Sequence, residues 1–195
     1  MILASASETR AKLLHDAGVT FETVPAHVDE DALKQSLLAE SASHRDIADA
    51  LAELKALRIS SAHPGALVLG ADQVLSFDGT LISKCGSLAE ARELLLRLRG
   101  QTHELISAMV LAKNGAPVWR HVEKATLTMR DFSDAFLEDY LTAEGNALLS
   151  GVGCYRLESR GAQLFSRVTG DHSTILGLPL LPLLSALREQ GVIQR

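Results

Sequence analysis

The apolar positions along the chain repeat with two periods, one typical of helices and one typical of strands. Helical repeats begin after the capping residues Ser7, Ser43, Ser87 and Ser133, and Pro179 opens a last repeat near the C-terminus. The pattern therefore predicts five helices, of which the one that begins at Ser43 is long.

Two dipeptides typical of tight turns interrupt the strand-like stretches of the chain. Asp78-Gly79 divides one apolar stretch into two strands, and Asn114-Gly115 divides a second stretch in the same way. Each stretch is therefore predicted to form an antiparallel hairpin.

Further strands are predicted at residues 2–4, 21–25 and 124–130, and residues 151–171 are predicted to form two short strands with a turn. The acidic segment HVDED, residues 27–31, is interpreted as a loop. Because helices and antiparallel hairpins mix along the chain, we predict an α/β or α+β fold around one mixed, twisted sheet. No shift in composition marks a domain boundary, so one domain is expected, either compact or elongated with two lobes.

Composition narrows the classes of function. The chain has 195 residues, of which 47% are hydrophobic and 22% charged, which is typical of a soluble globular protein. Aromatic residues make up 4% and the formal charge is −5, and both values argue against binding of long nucleic acid. No apolar run reaches the ~18 residues that a membrane span needs. Cys85 and Cys154 show no pairing or metal-ligand spacing, so reduced thiols and a cytoplasmic location are expected.

One carboxylate stands inside an apolar run. Asp72 lies in LGADQVL, residues 69–75, which otherwise has the pattern of a buried strand. A buried, unpaired carboxylate is costly, so Asp72 is expected to have a partner, a metal ion or an altered pKa. The alternative is that the strand ends at Gly70 and that Asp72 lies in a solvated turn.

The register of the first hairpin decides which residue faces Lys84. With a two-residue loop, Gln73 opposes Lys84 and Asp72 points to the other face of the sheet. With a three-residue loop closed by a bulge, Asp72 opposes Lys84. Both registers fit the sequence, and Lys84 by itself is typical of a surface lysine.

The first turn is a candidate phosphate site. Ser5 and Ser7 supply hydroxyl groups where a helix begins, and Arg10 lies one turn inside that helix. The alternative is a capped helix with a solvated arginine. Glu30 and Lys55, each taken alone, are expected to be solvated.

Six segments in order resemble the Maf-like family of nucleotide pyrophosphatases, once named septum-formation inhibitors. The resemblance covers nearly the whole of residues 1–195, and it departs from the family pattern at Glu8-Thr9, at Cys85 and at residues 156–159. The segments are LASASETRAKLLHDAG, VDE, LAELKA, GADQV, ISKCGSLAEARELLLRLRGQTHEL and GCYRLESRGAQLFSRVTGDHSTILGLPL.

The resemblance implies an α/β fold with helices on both sides of the sheet, like that of inosine triphosphatases. It also implies hydrolysis of a nucleoside triphosphate between the α- and β-phosphates. By position, Asp72 would be the general base, Glu30 and Asp72 would hold a divalent cation, Mg²⁺ or Mn²⁺, and Lys55 and Lys84 would neutralise phosphate charge. Ser7 and Arg10 would contact the phosphates.

Three positions that vary within the family fall on Thr9, Gln73 and Glu158. Gln and Glu at the second and third of these are similar to the branch that acts on 7-methyl-GTP, and a carboxylate can pair with the positive charge of a methylated guanine. The resemblance thus implies a small-molecule nucleotide partner with a modified purine base, and it leaves a homodimer open.

Four other interpretations fit the sequence. They are a dTTP and UTP pyrophosphatase of the same family, a hydrolase of the inosine triphosphate type, a nucleotide-binding regulator of cell division without activity, and an inactive structural module.

Overall fold

A computed structural model describes residues 1–194 and shows a mixed sheet of seven strands in that part of the chain. The strand order is β2-β1-β3-β5-β6-β7, and β4 pairs with β3. The strands are β1 Ile2–Leu3, β2 Glu22–Thr23, β3 Leu67–Phe77, β4 Thr80–Ile82, β5 Thr102–Lys113, β6 Ala116–Met129 and β7 Phe165–Thr169.

Seven α-helices accompany the sheet in the described residues, and the five predicted helices are among them. The α-helices are α1 Glu8–Asp16, α2 Glu30–Ala39, α3 His44–Ala62, α4 Leu88–Leu98, α5 Asp134–Glu144, α6 His172–Ile175 and α7 Leu180–Glu189. Short 3-10 helices span Gly145–Ser150 and Arg160–Leu164. Parallel pairing of β1 with β2 and β3, and antiparallel pairing of β3 with β4 and β6 with β7, confirm the mixed α/β fold.

Both predicted hairpin turns are present. Asp78, Gly79, Asn114 and Gly115 all have positive φ, between 48° and 76°, which is the conformation of a type I′ turn. In the first hairpin Leu75 pairs with Ile82, which is the register of the two-residue loop.

Three predictions about elements are wrong. The acidic loop is in part a helix, since α2 begins at Glu30 behind the capping residue Asp29. Residues 124–130 are not a separate strand, because β6 runs without a break from the second hairpin to Met129. Residues 151–171 contain one strand, β7, preceded by turns and a 3-10 helix, rather than two strands.

The chain divides into two compact units. The first unit comprises residues 1–73, 106–123 and the chain from Asp171 onward, and the second comprises residues 74–105 and 124–170.

Side chains of β3 alternate between two apolar layers of the first unit. Leu69 and Ala71 belong to a core that also includes Leu14 of α1 and Leu183 of α7. Val68, on the other side, packs with Ile2, Ala4 and Ile59 of α3. Because side chains on a strand alternate, Asp72 shares the α3 side with Val68, whereas Gln73 shares the α1 and α7 side.

Within residues 1–194 no helix is both long enough and apolar enough to cross a membrane.

Candidate active site

A glycine in β3 lets α3 lie unusually close to the strand. A Cβ at Gly70 would lie 2.6 Å from the backbone nitrogen of Ala56 and closer still to the carbonyl oxygen of Ala52. Only a residue without a side chain fits there. The helix therefore presents Lys55 to the strand position that follows Gly70 on the same face, which is Asp72.

Lys55 bridges two carboxylates. Its Nζ lies 2.6 Å from Oδ1 of Asp72 and 2.8 Å from Oε1 of Glu30. The side chains of Lys55 and Asp72 are only 10% and 8% exposed, so Asp72 lies in a buried strand with a partner, as one of the two interpretations predicted. The expectation that Lys55 is solvated is wrong, because its charge is buried and therefore needs partners of opposite sign. Glu30 keeps 39% of its side chain exposed, so it is partly solvated although it pairs with Lys55.

Arg10, in the first turn of α1, donates hydrogen bonds to backbone carbonyls elsewhere in the first unit. Its Nε donates to the carbonyl of Gly177 at 2.9 Å, and its Nη1 donates to the carbonyl of Ala71 at 3.0 Å and to Oγ of Ser5 at 3.4 Å. Burial lowers the pKa of the Arg10 guanidinium, while the charges of Asp72 and Glu30 act to raise it. Arginine stays protonated in proteins, so the cations Arg10 and Lys55 both interact with the carboxylates of Asp72 and Glu30.

The serine turn before α1 is built as predicted. Ser7 caps the helix and accepts the backbone N–H of Arg10 at 3.3 Å, and its own N–H donates to Oγ of Ser5 at 3.2 Å. Thr9 is half-buried in the first turn of α1. The alternative of a solvated arginine is wrong, because Arg10 is anchored to two backbone carbonyls.

The amide of Gln73 is held by the protein. Its Nε2 lies within 3.0 Å of Oγ of Ser107 and of the carbonyls of Thr174 and Ile175. Nothing in the sequence indicated these partners, since they are 34 residues or more away along the chain.

The remaining predicted residues belong to the second unit. Lys84 is exposed and lies two residues after Ile82, the last residue of β4. The observed register is the one that does not set Lys84 opposite Asp72, so a phosphate role for Lys84 stays a prediction.

Glu158 is held by a neighbouring arginine in the second unit. Nε of Arg156 lies 3.3 Å from Oε1 of Glu158, and Nη1 of Arg156 lies 3.7 Å from Oε2 of Glu144. Oγ of Ser159 donates to the other oxygen of Glu144 at 2.8 Å. One guanidinium thus lies between two carboxylates, which holds Glu158 in a defined place.

Glu30 and Asp72 are the side chains around Lys55 that could hold a divalent cation. Mg²⁺ takes oxygen ligands and commonly uses one or two carboxylates, with waters and substrate phosphates as its other ligands. Within residues 1–194 no group of three or more His, Cys, Asp or Glu side chains could hold a metal ion.

Comparison with known proteins gives a consistent result. The model of the Maf-like protein family matches residues 1–190. A nucleoside triphosphate pyrophosphatase of Caulobacter vibrioides is 57% identical over 98% of this chain and 96% of its own length. A protein of the same name from Granulibacter bethesdensis is 52% identical over 99% of this chain and 98% of its own length.

A solved dITP/XTP pyrophosphatase from Mycobacterium abscessus is a more remote match. It is 17% identical, with a TM-score of 0.37 over 75% of this chain and 94% of that one.

Proposed function

This chain belongs to the Maf-like family and is a nucleoside triphosphate pyrophosphatase, and we propose that it acts on 7-methyl-GTP or a related modified purine nucleotide. The observation that supports catalysis is the buried pair of Lys55 and Asp72, in which Lys55 also contacts the partly exposed Glu30. Positioning and charge neutralisation supply most of the acceleration in phosphoryl transfer, and this group provides both.

Asp72 is the proposed general base. Lys55 engages its Oδ1, so Oδ2 is the oxygen that can take a proton from water. The attack of that water on the α-phosphorus releases pyrophosphate and leaves the nucleoside monophosphate. A rigid strand and a buried lysine hold the carboxylate in one orientation, which suits a base that must meet its water at hydrogen-bond distance.

The cations of the first unit are proposed to neutralise the triphosphate. Lys55 has three N–H donors, of which Glu30 and Asp72 engage two. Arg10 and the capped turn at Ser7 would contact phosphate oxygens. A divalent cation, Mg²⁺ or Mn²⁺, held by Glu30 and Asp72 would neutralise further phosphate charge.

The preference for a methylated purine rests on Glu158. Its carboxylate can pair with the positive charge of 7-methylguanine or accept the N–H donors of the base. Arg156 contacts only one of its two oxygens, so the second is the one proposed to face the base. An enzyme with such a contact would hydrolyse the modified nucleotide and leave the unmodified nucleoside triphosphates largely uncleaved.

A substrate panel tests this preference. Pyrophosphate release is measured with 7-methyl-GTP, GTP, inosine triphosphate, dTTP and UTP, for the wild type, for Glu158→Gln and for Glu93→Gln, which changes an exposed glutamate of α4. We expect the highest kcat/KM with 7-methyl-GTP and a loss of that preference in Glu158→Gln alone. Faster cleavage of dTTP and UTP than of 7-methyl-GTP by the wild type would contradict the proposal.

A further inference from the structure

The amide of Gln73 has no donor left for a ligand. A carboxamide nitrogen carries two hydrogens, and three protein acceptors lie within hydrogen-bond distance of Nε2. Ser107, which is fully buried, also donates from Oγ to the carbonyl of Thr174 at 2.8 Å. Gln73 and Ser107 therefore hold the backbone of α6 from two neighbouring strands, β3 and β5.

The backbone that Gln73 and Ser107 hold continues to Gly177, which contacts Arg10. The backbone N–H of Gly177 donates to the carbonyl of Thr174 at 3.0 Å, which closes a turn at the end of α6. The carbonyl of Gly177 then accepts Nε of Arg10 at 2.9 Å. The direction of that carbonyl depends on the turn, and the turn depends on the bonds that Gln73 makes.

Gly177 lies against both side chains. Its φ is +89°, and a Cβ there would lie 3.3 Å from Nη2 of Arg10 and 3.7 Å from Cδ of Gln73. A positive φ and the lack of space both favour glycine. The carboxamide of Gln73 thus packs against Gly177, and Gly177 packs against the guanidinium of Arg10. A change at Gln73 is therefore expected to shift Arg10.

We propose that Gln73 is a positioning residue, which fixes the guanidinium of Arg10 through the turn at Gly177 and so acts on the phosphates of the substrate rather than on its base. This inference rests on the proposed function, in which Arg10 contacts the phosphates. It assigns to Gln73 a role other than the choice of base that the resemblance implied.

Binding of inorganic tripolyphosphate, which has no base, separates the two roles. Its affinity is measured with Mg²⁺ by calorimetry for the wild type, Gln73→Met, Arg10→Ala and the double variant. We expect Gln73→Met to weaken binding roughly 10- to 100-fold, as partners that orient functional groups do. In the Arg10→Ala background the same change is expected to have no further effect, because the group that it positions is gone.

Unchanged binding in Gln73→Met, or an equal loss in both backgrounds, would overturn the inference. Gln190→Met changes an exposed glutamine of the first unit and is expected to bind like the wild type. Should Gln73→Met fail to fold, Ser107→Ala removes one of the acceptors of Gln73 and is expected to weaken binding in the same Arg10-dependent way.

Turnover gives a second readout. Gln73→Met is expected to lower kcat/KM by the same factor for 7-methyl-GTP, GTP and dTTP, whereas a changed ratio among them would assign Gln73 to the base and overturn the inference. A wild type that bound no tripolyphosphate would refute the proposed function and this inference together. Normal wild-type binding that does not depend on Gln73 would refute this inference alone.

Discussion

Lys55 has two roles, one in stability and one in the proposed binding of phosphates. It compensates the charges of Glu30 and Asp72, and it presents a cation where phosphates are proposed to bind. A buried pair of this kind adds little net stability, since desolvation offsets the attraction, but loss of one partner leaves an uncompensated charge.

Lys55→Met is therefore expected to destabilise the protein by about 3 kcal/mol or more, in the range for breaking a buried ion pair, and to abolish pyrophosphate release. Urea unfolding and a pyrophosphate assay measure the two effects. Lys12→Met is the matched control, because Lys12 pairs with Asp16 at 2.7 Å on the surface, where loss of a pair has little effect on stability. Equal destabilisation by the two changes would contradict the buried pairing.

At this scale the sequence predicted part of the site. A carboxylate in an apolar run is visible in the sequence, and Asp72 is indeed buried with a partner. That Lys55 is the partner follows from the crossing of α3 over β3, 17 residues away along the chain, and no local pattern encodes that crossing. The carbonyl of Gly177 was missed because backbone acceptors leave no trace in residue type.

The contact of α3 with β3 sets the geometry of the site at the scale of elements. Because Gly70 has no side chain, the backbone of α3 at Ala52 and Ala56 reaches van der Waals distance of the strand. Lys55 and Asp72 then meet at 2.6 Å.

Gly70→Ala is expected to push α3 away from β3 and to separate Lys55 from Asp72. Overpacking of this kind typically costs about 1–3 kcal/mol, and we expect a loss of kcat of roughly 10²-fold from the displaced groups. Gly151→Ala is the matched control, since its Cβ would meet nothing closer than 3.8 Å and its φ is negative. Wild-type kcat in Gly70→Ala, measured by pyrophosphate release, would show that the close approach does not position the base.

The cap of α2 gives a second test at this scale. Asp29 accepts the backbone N–H of Ala32 at 3.0 Å and so fixes the first turn, in which Glu30 is the first residue. Asp29→Ala and Ser133→Ala, which removes the cap of α5, are each expected to cost about 1 kcal/mol.

Only Asp29→Ala is expected to lower kcat as well, because Glu30 belongs to the group around Lys55. Thermal unfolding and pyrophosphate release are measured on both variants. A fall in kcat of the same size in Ser133→Ala would refute a specific role for the cap of α2.

Helices with serine caps were predicted well, because a capping serine and the backbone N–H that it accepts are only three residues apart in the sequence. Helix α2 was missed because its cap lies inside an acidic run and none of its residues is buried, so Leu33 and Leu37 form only a short, half-buried apolar face. The first of the two strands predicted in residues 151–171 is absent, although that stretch does contain apolar residues. Its apolar residues pack in turns, where Cys154 has a φ of +53° that a strand does not allow.

At the scale of the whole molecule, a buried histidine links folding to pH. His103 is 1% exposed, and its Nε2 lies 2.7 Å from the hydroxyl oxygen of Tyr155. Burial lowers the pKa of His103 to about 4, from an ordinary value of 6.5. The folded state therefore keeps His103 neutral under conditions in which the unfolded chain binds a proton.

The contribution of His103 to stability is expected to be complete above pH 6.5 and to be lost as the pH falls toward 4, because the unfolded state takes up the proton first. The difference between the two pKa values corresponds to about 3 kcal/mol. Urea unfolding from pH 7 to pH 4 is expected to show a steeper loss for the wild type than for His103→Gln. His15→Gln changes an exposed histidine and is expected to follow the wild type, and parallel curves for all three proteins would rule out a buried neutral His103.

The most direct test of catalysis by the group around Asp72 is the release of pyrophosphate by the wild type and by Asp72→Asn, with Mg²⁺ and a nucleoside triphosphate. We expect the wild type to form nucleoside monophosphate and pyrophosphate, and Asp72→Asn to lower kcat by about 10²-fold or more, the range for loss of a general base, while it still binds tripolyphosphate. Equal release of pyrophosphate by the two proteins would contradict the assignment of Asp72 as the base.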